Sequence, residues 1–142
     1  MSRVFLDSSV LFSAAYSRRG HAYDLLQMAI RDVITILTSQ LVLDEIRRNL
    51  ADHAPDKLPF LDLALEQIPF EFVRPTRREV LAAAQHVALK DAPIVAAARK
   101  AKVDFLVTHD KKHLLGRPAL AAYVRAPIVT PKDAVAQLTG QG

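Results

Sequence analysis

The chain is 142 residues long and 51% hydrophobic, lacks cysteine and tryptophan, and carries a formal net charge of +4, with a pI near 9.6. That length suits one domain, residues 1–142, whose core Ala, Val, Leu and Ile must fill; the missing cysteines exclude disulfides, thiolate catalysis and Cys-based zinc sites. Neither a signal peptide nor a membrane span is visible, so a soluble, cytoplasmic protein is expected, and the basic balance suits a polyanion substrate as well as an ordinary solvated surface.

Val4-Phe5-Leu6 is an apolar run that predicts a first strand over residues 3–7, ending in Asp7 and the small polar Ser8 and Ser9. The segment SSVLFSAAY turns into a short helix, and Arg18-Arg19-Gly20-His21 is a basic loop. From Ala22 to Ile30 the apolar residues fall at helical spacing, and the β-branched run Val33 to Leu37 predicts a second strand. Thr38 and Ser39 can cap the next helix, in which Leu43, Ile46 and Leu50 form the core stripe; Glu45 lies beside that stripe, not opposite it. Pro55 and Pro59 lead into a helix over Leu58 to Gln67, and Phe70 to Val73 reads as an edge strand flanked by prolines. Thr76 with Glu79 has capping-box spacing, and Val80, Ala83, Ala84 and Val87 continue an amphipathic helix. Asp91, just before Pro93, opens another helix, which feeds a buried strand over Val103 to Thr108 that runs into Asp110. After Arg117-Pro118 come a helical stretch, Leu120 to Tyr123, a last strand, Ile128-Val129, and a terminal helix with Thr130 as cap and Pro131 in its first position. Strands alternating with helices predict an α/β fold with a parallel sheet, and ligands of such sheets gather outside the carboxyl ends of the strands.

Four carboxylates stand out at those ends: Asp7, Glu45, Asp91 and Asp110. Each has an ordinary explanation taken singly, as a helix cap or a surface charge. Together they imply more, because carboxylates packed without neutralisation repel, and a cluster calls for shared protons or a bound cation. Oxygen ligands with neither Cys nor an ordered His pair favour Mg²⁺ or Mn²⁺ over Zn²⁺. His109 and His113 read as solvent-facing or capping groups, outside any metal shell.

The phrases VFLDSSVLFSA, LVLDEIRRNL, KDAPIVAAARKAKVDFLVTHDKKHL and APIVTPKDAV resemble, in order and spacing, the PIN-domain family, in particular its prokaryotic toxins of toxin–antitoxin pairs. The resemblance implies a three-layer α/β/α sandwich with a mainly parallel central sheet, and a metal-dependent ribonuclease. Its four acids map onto Asp7, Glu45, Asp91 and Asp110, which would hold one or two Mg²⁺ or Mn²⁺ ions, and its strand-end hydroxyl maps onto Thr108. The family usually has Asn two residues after the first Asp; here Ser9 stands in that place, shorter but still able to hydrogen-bond. Ser9 and Thr108 are then groups that orient the acids, and Arg18, Arg19, Lys111 and Lys112 are candidates for RNA phosphates. An antitoxin partner is implied too, and a homodimer with Leu58, Phe60 and Leu61 as interface candidates that suit a core equally well.

Other functions fit less well. A haloacid-dehalogenase-like phosphotransferase needs a second Asp where Ser9 stands, and the four glycines never fall in phosphate-loop spacing. A PIN-fold module that binds RNA or a protein without turnover is the alternative, and Ser9 keeps it open.

Overall fold

The computed structural model describes residues 1–140. Five strands, β1 (Ser2–Leu6), β2 (Ile34–Thr38), β3 (Glu71–Phe72), β4 (Phe105–Val107) and β5 (Ile128–Val129), make one sheet in the order β3-β2-β1-β4-β5. Every neighbouring pair is parallel. In β1, Val4, Phe5 and Leu6 are all fully buried, which is why its apolar run does not alternate: a central parallel strand is covered on both faces.

Among the described residues eight α-helices flank the sheet: α1 (Ser8–Tyr16), α2 (His21–Ile30), α3 (Gln40–His53), α4 (Leu58–Gln67), α5 (Arg77–Ala83), α6 (Ala92–Ala101), α7 (Pro118–Val124) and α8 (Pro131–Leu138). Helix α1 packs on α2 and α3, and α8 returns to α2; α6 packs on α5 and α7. The result is a three-layer α/β/α sandwich. Its chain connections diverge between β1 and β4, since β1 leads to β2 on one side and β4 leads to β5 on the other. That divergence opens a crevice at the carboxyl ends of the two strands, the place where open α/β sheets bind ligands.

Several boundaries differ from the sequence reading. The strand expected from Val103 to Thr108 is shorter, because Lys102 ends α6 in the left-handed region (φ 54) and Val103 packs into the core. Asp104 is spent on Arg3, accepting its N–H at 2.8 Å and donating its own N–H to the Arg3 carbonyl at 2.7 Å. The edge strand expected over Phe70 to Val73 keeps only Glu71 and Phe72, although the Val73 N–H still donates to the Thr38 carbonyl. Helix α5 stops at Ala83, and residues 84–87 turn instead, leaving Val87 buried outside the helix. The caps follow their local chemistry: Ser39 accepts from the Val42 N–H, Thr76 and Glu79 complete a capping box, and Thr130 accepts from the Asp133 N–H. Thr38 does not cap; its hydroxyl donates to the Leu6 carbonyl. Of the suggested interface residues, Leu61 is buried in the core, with Leu58 and Phe60 half-buried against it. No helix among the described residues is long and apolar enough to cross a membrane.

Candidate metal centre

Asp7 leaves β1 and caps α1. Its Oδ1 accepts the Ser9 hydroxyl at 2.6 Å and the N–H groups of Ser9 and Val10 at 3.1 and 3.4 Å. Its Oδ2 accepts the Thr108 hydroxyl at 2.5 Å across the β1/β4 boundary. Only 5% of Asp7 is exposed. Burial pushes its carboxyl above the ordinary value, against the downward pull of the hydrogen bonds from Ser9, Thr108 and Val10. The hydroxyl of Ser9 therefore reaches the carboxylate despite being shorter than an Asn side chain, and the Ser9 Oγ also accepts the His109 N–H at 3.2 Å.

Thr108 links the first acid to the last. While donating to Asp7, its Oγ1 accepts the Asp110 N–H at 3.0 Å, so one fully buried hydroxyl sets the spacing between the two strand exits. Asp110 then folds back over its own turn, accepting the N–H groups of Lys112 and His113 at 3.0 and 2.9 Å. Its Oδ2 lies 3.2 Å from His113 Nδ1. Burial, the largest influence on Asp110, raises its pKa, but the His113 backbone, ring and charge and the Lys112 N–H outweigh it, so the net direction is down.

Asp91 occupies the cap position of α6 without capping it: its backbone is helical (φ −97, ψ −11), and its side chain accepts no backbone N–H of the helix. The ordinary explanation of Asp91 as a helix cap therefore does not hold. An N-cap carboxylate reaches back to its helix only from an extended backbone, and the turn closed by the Asp91 N–H on the Ala88 carbonyl denies it that conformation. Its Oδ2 is instead buried with no hydrogen-bond partner. Donor atoms of Asp91, Asp110 and His113 all lie within 4.8 Å of one another. A buried, unpartnered acceptor on a carboxylate that gathers with a second carboxylate and an imidazole is costly alone and fits a cation. His113 is the member that sequence reasoning left out; the Asp-x-x-His spacing after a strand was its only local signal.

Glu45 and Asp7 stand apart from that group of three. Glu45 is half-buried and lines an open cleft of about 460 Å³ with Ser8, Ser9 and Phe12 of α1, and with His109. Lys111 and Lys112 are exposed directly after Asp110. Arg18 and Arg19 are exposed as well, but Arg18 lines a groove between α2 and α4, beside Tyr23 and Phe60, not the cleft of the acids.

No curated protein matches the chain. Among solved structures it is similar to PAE2754 from Pyrobaculum aerophilum, with TM-score 0.65 and 22% identity over 99% of this chain and 91% of that one. It is also similar to VapBC2 from Rickettsia felis, solved bound to a DNA fragment from their promoter, with TM-score 0.62 and 14% identity over 90% of this chain and 98% of that one. At those identities the likeness shows the fold. The family description "PIN domain" matches residues 3–112, a span that runs from β1 through Asp7, Glu45, Asp91 and Asp110 to the turn holding Lys112. With that span matched and the strand-end acids in place, this chain belongs to the PIN domain family.

Proposed function

We propose that the chain is a metal-dependent ribonuclease, a single PIN-like domain over residues 1–142 that hydrolyses RNA phosphodiester bonds. The observation that carries this reading is the gathering of ligand atoms of Asp91, Asp110 and His113 within 4.8 Å of one another, together with an Asp91 carboxylate whose Oδ2 is buried and unpartnered. In this proposal Asp7, Asp91 and Asp110 hold Mg²⁺ or Mn²⁺, directly or through water, and Glu45 orients water or holds a second ion from across the cleft. When bound, such a cation supplies Lewis acidity toward water and stabilises charge on a phosphoryl oxygen. The chain's own residues do the positioning. Thr108 fixes Asp7 against Asp110, Ser9 holds the other oxygen of Asp7, and His113 with the Lys112 N–H keeps Asp110 turned inward. Lys111 and Lys112, and on a separate face Arg18 and Arg19, hold RNA phosphates.

The role of toxin in a toxin–antitoxin pair, an antitoxin partner, a homodimer and a cytoplasmic location belong to the same proposal; they rest on the sequence resemblance, with the likeness to VapBC2 in keeping with it. The 2.6 Å hydrogen bond from Ser9 to Asp7 supports turnover over a purely binding module, since the residue at the divergent position still engages the acid. Incubating the chain with a single-stranded RNA tests the reading. Cleavage is expected with Mg²⁺ or Mn²⁺ and none with EDTA; undiminished cleavage in excess chelator would contradict it, and retention of uncut RNA in Mn²⁺ would favour the binding module.

A further inference from the structure

The cleft that Glu45 lines is a groove between α1 and α3. On α3, Glu45, Asn49 and His53 recur every four residues and all line it, which places them on one stripe of the helix. Facing them, α1 offers Phe12, also in the lining, and the ring of Phe12 stacks on Tyr16 with centroids 5.7 Å apart and planes inclined by 22°. One wall is aromatic and the other carries hydrogen-bonding groups. The side-chain hydrogen bonds within or from α3 join Gln40 to Asp44 and Arg47 to Asp62; among the described residues none engages Asn49 or His53. No Lys or Arg lines the groove, so it is not built for phosphate. At about 460 Å³ it is within the size range of small-ligand sites.

We propose that this groove is a base-binding subsite, in which a nucleotide beside the scissile phosphate lays its base on Phe12 and presents its edge to Asn49 and His53. The inference rests on the ribonuclease reading, because Glu45 lines the groove and the lining residues Ser9 and His109 adjoin Asp7 and Asp110, which would fix where the phosphate lies. Its ligand is an unpaired base of single-stranded RNA. An aromatic face accepts any base, whereas an amide and an imidazole discriminate between base edges. Phe12 therefore contributes affinity and Asn49 sets which nucleotide flanks the cut.

The test uses the full chain with labelled oligouridine, oligoadenosine and oligocytidine, measuring affinity in EDTA and mapping cut positions on a mixed-sequence RNA in Mn²⁺. Phe12→Leu keeps the apolar volume but loses the ring, and should weaken binding of all three oligonucleotides about tenfold, whereas Phe12→Tyr should not. Asn49→Asp, on the helix surface, should change the order of the three affinities and the nucleotide at the cut. Wild-type affinities in Phe12→Leu together with an unchanged order in Asn49→Asp would overturn the proposal, as would a wild type that binds none of the three. If the variants behave as expected in EDTA but the wild type cuts nothing in Mn²⁺, the ribonuclease reading fails and the base subsite stands. If wild type and variants bind and cut identically, the subsite fails and the ribonuclease reading stands.

Discussion

Asp7 is both the cap of α1 and a carboxylate turned toward the Thr108 bridge, so its two oxygens divide the roles: Oδ1 takes the helix N–H groups and Oδ2 takes the bridge. The two uses make different demands on charge. Burial holds its pKa above the ordinary value, so the protonated form gains on folding; that contribution is complete below the unfolded value, about 3.9, and fades as pH rises through the raised folded value. Asp7→Asn keeps the shape and a capping oxygen without that dependence. In EDTA at pH 7 the variant should melt no lower than wild type, and its relative stability should rise with pH across the window between the two values. Added Mn²⁺ should raise the wild-type melting temperature and raise the variant's much less. A variant that melts lower at every pH yet responds to Mn²⁺ like wild type would leave Asp7 a cap alone.

The turn that leaves β4 is the element on which the site depends, because Thr108, Asp110 and His113 share it and brace one another. Replacing His113 by Ala removes the ring at 3.2 Å from Asp110 and should weaken Mn²⁺ affinity by about tenfold or more; calorimetric titration reads this, and unchanged affinity would return His113 to a surface role. Much of this element was legible in the sequence. A short apolar run after a helix, ending in a polar turn, implied a parallel strand and put Asp110 at its exit. What could not be read was long-range or conformational. The hydrogen bond from Thr108 to Asp7 spans 101 residues and follows from the adjacency of β1 and β4, which no local pattern encodes. Asp91 failed as a cap because its backbone is helical, a property of the preceding turn and not of the Asp-x-Pro spacing. The caps at Ser39, Thr76 and Thr130 were readable because their partners lie within three residues.

At the scale of the whole molecule, strand order does what no single motif does: with β1 beside β4 and the connections diverging from them, acids distant in sequence meet at one edge of the sheet. Lys111 and Lys112 are exposed directly after Asp110. Replacing both by Ala should weaken RNA binding and reduce the slope of log affinity against log salt by about one for each phosphate no longer neutralised; an unchanged slope would assign both lysines to the solvated surface, and the same measurement on Arg18 and Arg19 tests the basic loop. Everything proposed for the site depends on the buried oxygen of Asp91 facing a cation. The most direct measurement is the anomalous difference density of a crystal of the chain soaked in Mn²⁺. The prediction is a peak within coordination distance of both Asp91 Oδ2 and an Asp110 carboxylate oxygen; an ordered site without a peak, or with Asp91 Oδ2 hydrogen-bonded to a protein donor in its place, would contradict it.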